Sequence, residues 1–146
     1  MIGSEKQVYD VSKIQSRILM CTSTITFIPI YIAYRRSLFF YALTSTGTCL
    51  CSILYWYHPV HGWRRNLDLL YAKYSFLVYF ISGVVYCPWG APILIFYINA
   101  SFIVLFYLMT MVFPRQWIYF HVLFHLLSIV TKCHIIKYMG EPTVPP

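Results

Sequence analysis

His121 and His125 stand four residues apart, and Ser128 and Lys132 continue the series at positions seven and eleven. At about 100° per residue on a helix, these four side chains fall within about 60° of one another. The segment they occupy is otherwise apolar, so the polar stripe has to face other helices, where an ionisable group is less costly than against lipid. Two imidazoles at i and i+4 can ligate one metal ion together. A third from His58, with Asp68 to orient a ligand or hold a water, would complete a zinc site with one open position and its hydrolytic chemistry. The same residues also have plainer uses. His121 and His125 suit interhelical hydrogen bonds, Asp68 suits a helix start or an ion pair with Arg64, and His58 and His61 flank Pro59 as interfacial turn residues. Lys132 and Lys73 have stems long enough to snorkel, each toward its own membrane side.

Composition decides what surrounds these residues. Of 146 residues, 60% are apolar, 20% aromatic and 10% charged, and the mean hydropathy is +0.65. A soluble domain carries about 25% charged residues, so a water-soluble globule and a disordered chain are both excluded. Apolar runs cover residues 18–34, 37–57, 69–87, 91–113 and 117–136. Each approaches the roughly 17–25 residues that cross a hydrocarbon core about 30 Å thick. The sequence therefore predicts an all-α integral membrane helical bundle of five spans, a single polytopic domain with short polar tails at 1–17 and 137–146. Arg35-Arg36, residues 58–66, Pro88-Trp89-Gly90 and Pro114-Arg115 supply the turns. Pro29 and the hydroxyls between Thr22 and Thr26 predict a kinked or tilted first span. The N-terminal tail lacks an apolar stretch followed by a small-residue cleavage site, so the first span is expected to direct insertion itself.

With five spans, the end of span two and the starts of spans three and five share one membrane side. His58, Asp68, His121 and His125 then lie within two or three turns of the same surface. That side also collects Lys6, Lys13, Arg17, Arg64, Arg65, Lys73 and Arg115, against Arg35, Arg36, Lys132 and Lys137 on the other. The excess predicts a cytoplasmic N-terminus and a C-terminus outside or in a lumen. Because the basic residues are scattered in ones and twos over the loops, the net charge of +7 reads as topology and lipid-headgroup contact, not as a nucleic-acid surface. Trp56, Trp63 and Trp117 on one side and Trp89 on the other are expected to form an interfacial belt. The five cysteines have neither metal-site nor disulfide spacing and read as small buried hydrophobes. Gly47, Ser52, Ala72 and Gly83 offer small surfaces for close helix packing.

Ser52 and His58 near the end of span two, Asp68 at the start of span three and the His121–His125 pair in the last span lie in SILYWYH, RRNLDLLYAK and FHVLFHLLS. This pattern resembles that of the CREST superfamily, the seven-helix membrane proteins that include alkaline ceramidases and adiponectin-receptor-like proteins. The resemblance implies zinc held by His121, His125 and His58, with Asp68 positioning the bound water. It further implies that Ser52 stabilises the developing oxyanion as a membrane lipid amide or ester is hydrolysed. The chain departs from the pattern in having five predicted spans where the family has seven. The position four after Ser52, where the family usually places its histidine, is Trp56. The stretch SILYWYHPVHGWRRNLD also resembles short multipass proteins of large DNA viruses, which implies no chemistry. In order, the sequence points to three functions. The first is a structural or interaction protein acting within the bilayer, with membrane-protein partners or copies of itself; the second is a CREST-like zinc hydrolase. The third is a small His-gated channel or proton-conducting pore along the stripe from His121 to Lys132.

Overall fold

A computed structural model describes residues 11–59 and 62–139, all of them helix or short connection. The ends of both predicted tails and His61 lie outside the described residues. Ser12 starts the first helix earlier than the apolar run suggests. Its hydroxyl accepts the Gln15 N–H at 3.2 Å while the Gln15 side chain accepts the Ser12 N–H at 3.0 Å, a reciprocal cap for two otherwise orphaned donors. Helix α1 (Lys13–Thr24) then breaks and resumes as α2 (Phe27–Arg35). Pro29 has no N–H for the Ile25 carbonyl, which accepts from Ile28 N at 3.0 Å instead, and the turn tightens. Thr22, Ser23 and Thr24 bond back to carbonyls of their own helix, which bends it further. The expected kink in the first span is present.

Four more helices follow: α3 (Phe39–Tyr57), α4 (Trp63–Tyr86), α5 (Ala91–Val112) and α6 (Trp117–Tyr138). Lys13–Arg35, α4, α5 and α6 are each long and apolar enough to cross a membrane. Helix α3 has 19 residues, about 28 Å at 1.5 Å per residue, but carries a run of hydroxyls. Thr44, Thr46 and Thr48 donate to the carbonyls of Phe40, Ala42 and Thr44, so these groups are satisfied without water. Helix α4 begins at Trp63, six residues before the predicted span, because the expected turn at 58–66 becomes helical immediately after Gly62. Asp68 consequently sits in the second turn of a helix and not at its start.

Polarity is inverted relative to a soluble protein. Leu43, Leu50, Leu77, Ile81, Leu94 and Leu108 face outward, whereas Ser45, Ser52, Ser75, Ser82, Thr131 and Lys132 are buried. That arrangement suits a bundle whose surroundings are hydrocarbon, and the fold is an all-α membrane-type helical bundle. Helix α6 is its hub, packed chiefly on α5 and also against α1, α2 and α4.

Each end of the bundle is closed by an apolar layer. At one end Leu19, Tyr55, Trp56 and Trp117 form a buried cluster. Trp56 stacks on Trp117 with ring centroids 5.9 Å apart, and the Ser16 hydroxyl donates to the Trp56 carbonyl. This corrects the expected aromatic belt: Trp63 and Trp89 are exposed, at 61% and 91%, but Trp56 and Trp117 are interior packing residues. At the other end Ala33, Cys87, Ile93, Ile135, Ile136 and Met139 form the second cluster. There the Arg36 guanidinium donates to the carbonyls of Ile136 (3.1 Å), Lys137 (2.5 Å) and Met139 (3.4 Å). The last carbonyls of a helix have no partner within it, so this arginine ties the α2–α3 turn to the end of α6. Arg36→Ala is expected to cost about 1–2 kcal/mol in detergent unfolding, and Arg36→Lys to recover only part, because a point charge cannot span three carbonyls.

Candidate functional site

Between the two apolar layers lies a cavity of about 110 Å³. The whole α6 stripe lines it: His121, His125, Ser128 and Lys132. Helix α3 contributes Thr48, Cys49 and Ser52, helix α4 contributes Asp68, Ser75 and Tyr79, and α1 contributes Ser23. The polar stripe predicted on span five therefore meets polar side chains of α3 and α4. Four of the five residues singled out from the sequence, Ser52, Asp68, His121 and His125, meet in this one chamber.

Their contacts form a connected set. Thr22 Oγ1 donates to the Leu19 carbonyl at 3.0 Å and lies 3.3 Å from His125 Nδ1. With its proton so used, the threonine oxygen accepts from His125 Nδ1–H, which leaves Nε2 as the acceptor of that ring. Ser23 Oγ, 2.8 Å from the Leu19 carbonyl to which it donates, is also 3.5 Å from the same Nδ1 and 3.1 Å from Ser52 Oγ. Ser52 and Asp68 line the same chamber. The His121 and His125 ring centroids are 4.8 Å apart, and His121 packs edge-on against Trp56 at 5.1 Å and Trp117 at 6.1 Å. Toward the other end, Tyr79 shares a 2.8 Å hydrogen bond with Ser45 and donates to the Tyr41 carbonyl at 3.3 Å. Lys132 Nζ sits 5.2 Å from the centroid of that Tyr79 ring.

Two expectations are corrected here. His58 is exposed at the C-terminal cap of α3 and does not line the chamber. The helix ends at Tyr57, and the chain turns away before the imidazole can reach inward. The ring that does approach His121 from α3 belongs to Trp56, which has no metal-binding atom. Among the described residues no group of three His, Cys, Asp or Glu side chains comes together to hold a metal ion. The arrangement therefore does not fit a three-imidazole zinc centre. Zinc in the purified protein is expected well below one per chain, with the same content in the His121→Ala/His125→Ala double variant, as elemental analysis would show.

Lys132 does not snorkel. It is 7% exposed, because α6 continues to Tyr138 and the lysine stem lies between Tyr79 and the chamber. Ser23, Thr22 and the two buried tryptophans are site residues that sequence reasoning placed elsewhere. The hydroxyl cluster of the first span was visible as a signal, but it indicated a distorted helix and gave no direction for the side chains.

Fold and site together define a membrane-type α-helical bundle with a chamber in its interior lined by ionisable side chains. No family model, curated protein or solved structure matches the chain.

Proposed function

We propose that this is a multi-pass integral membrane protein that acts within the bilayer as a binding protein, holding a small molecule in its interior chamber. One observation carries the reading: helices far apart in sequence place ionisable and hydroxyl side chains around one cavity. Packing alone gives no reason to retain that cavity, since buried unpaired polar groups cost more than apolar ones. The apolar layers at both ends support a chamber over a through-going pore, so proton flux in liposomes is expected to equal that of empty vesicles. The Lys/Arg excess supports a cytoplasmic N-terminus, and the surrounding partner is lipid.

Native mass spectrometry of the protein extracted from membranes tests the reading. The wild-type chain is expected to carry a small adduct that is lost from Ala100→Phe, which fills the chamber from α5. Ala72→Leu, filling it from α4, should have the same effect. A chain without adduct, or an adduct indifferent to both fillings, would remove the reading.

A further inference from the structure

We infer that the chamber takes the anionic head of a single-chain amphiphile, a long-chain carboxylate, with Lys132 as its counter-charge. The inference rests on the binding-protein reading and specifies its ligand. Lys132 is more than nine-tenths buried and lines the cavity with its ammonium over the Tyr79 ring. Asp68 is the one carboxylate among the described lining residues. It lies eleven positions before Tyr79 on α4, about 16 Å along the helix axis. The Tyr79 ring face stabilises the ammonium only in part, and an ionised lysine in an apolar interior calls for an anion. A second observation points to a polar ligand as well: Ser75 Oγ, one turn before Tyr79, is buried without a hydrogen-bond partner and belongs to the same wall.

The other wall specifies the rest of the molecule. Phe76, Phe96, Ile103 and Tyr107 face the chamber from α4 and α5. These two helices meet where Phe96 packs into the space left by Gly83, beside their connecting turn, and make few other approaches. The hairpin is thus pinned at the Lys132 level and splayed toward its far end, which leaves a lateral apolar cleft facing lipid. A cavity of about 110 Å³ is smaller than the roughly 150 Å³ that holds benzene. It accepts a carboxylate and its first methylenes and excludes a glycerophospholipid head. The chain of the ligand leaves through the cleft into the bilayer, and Asp68 at the opposite end of the chamber disfavours the reversed orientation.

The full chain in nanodiscs of zwitterionic lipid, probed with palmitate, hexadecanol and hexadecylamine, tests this. Palmitate is expected to bind roughly tenfold more tightly than hexadecanol, with the amine weakest. Lys132→Met should bring palmitate to the affinity of hexadecanol, while Lys132→Arg keeps the preference. Equal affinities for palmitate and hexadecanol in the wild-type chain would overturn the inference without any variant. So would a palmitate preference that survives in a helical, monodisperse Lys132→Met protein. Failure of all three probes to bind would overturn the inference while leaving the binding-protein reading to its own adduct test, whereas a wild-type chain without adduct, or an adduct indifferent to Ala100→Phe, would overturn that reading itself.

Discussion

Trp56→Ala is expected to destabilise the protein more than any other single truncation of its interior. The indole is 2% exposed and contacts Tyr55, Trp117 and His121 with ring centroids 4.5, 5.9 and 5.1 Å away. Truncation of a buried aromatic opens a cavity that its neighbours fill only partly. In a membrane the unfolded reference is already in an apolar medium, so the loss is one of packing contacts and not of hydration. That places the expected cost at about 2–3 kcal/mol, the lower part of the range known for such truncations. It would be read as a shifted midpoint in detergent unfolding followed by helical circular dichroism. Trp56 Nε1 has no hydrogen-bond partner, so Trp56→Phe forfeits area but no polar contact and should recover most of the stability. If Trp56→Ala unfolds with the wild-type midpoint, the aromatic layer does not close this end of the chamber.

Gly83→Ala has an expected effect of opposite sign to the usual rule. In an exposed helix interior this change stabilises by about 1 kcal/mol. Here a Cβ at position 83 would lie 2.3, 2.5 and 2.7 Å from three atoms of the Phe96 ring. That ring is 1% exposed and held against Phe80 and Tyr97, so it has little freedom to yield. Either α4 and α5 separate or the ring moves into the chamber it lines, and overpacking of this kind costs about 1–3 kcal/mol. The double variant Gly83→Ala/Phe96→Leu should recover part of the loss, giving a coupling between the two sites that unfolding of all four proteins would measure. Additive effects would mean that the two helices are not pinned at this point. Gly47 faces Tyr71 in the same manner, 2.6 Å from a hypothetical Cβ. Both glycines expected to allow close packing are thus at helix contacts.

Much of the architecture was readable from composition and periodicity. Low charge, five apolar runs and turn residues between them state a helical membrane bundle, because backbone groups in hydrocarbon have to be satisfied within helices. Ser16 meets Trp56, which stacks on Trp117, and Arg36 meets the end of α6, so the starts of α1 and α6 and the end of α3 share one end of the bundle, as the order of apolar runs implies. The polar stripe of α6 was legible for the same reason: at 3.6 residues per turn a spacing of four, three and four keeps one face. Pro29 announced its kink through a missing N–H.

Other features depended on distances that no spacing encodes. Trp56 and His58 are two residues apart, about 200° around a helix, so both cannot face inward; that the indole and not the imidazole does so depends on which face of α3 packs against α1 and α6. The fate of Lys132 turned on whether α6 stops near residue 136 or runs on to Tyr138, and on Tyr79 offering a ring at its level. Ser23 and Thr22 joined the site because the kinked first span lays α1 against both α3 and α6. The sequence by itself determined the medium, the helices and the polar faces, since these follow from local hydropathy and helical period. Tertiary structure alone decided which faces enclose a cavity and which side chains reach it, because convergence depends on crossing and register between helices remote in the chain.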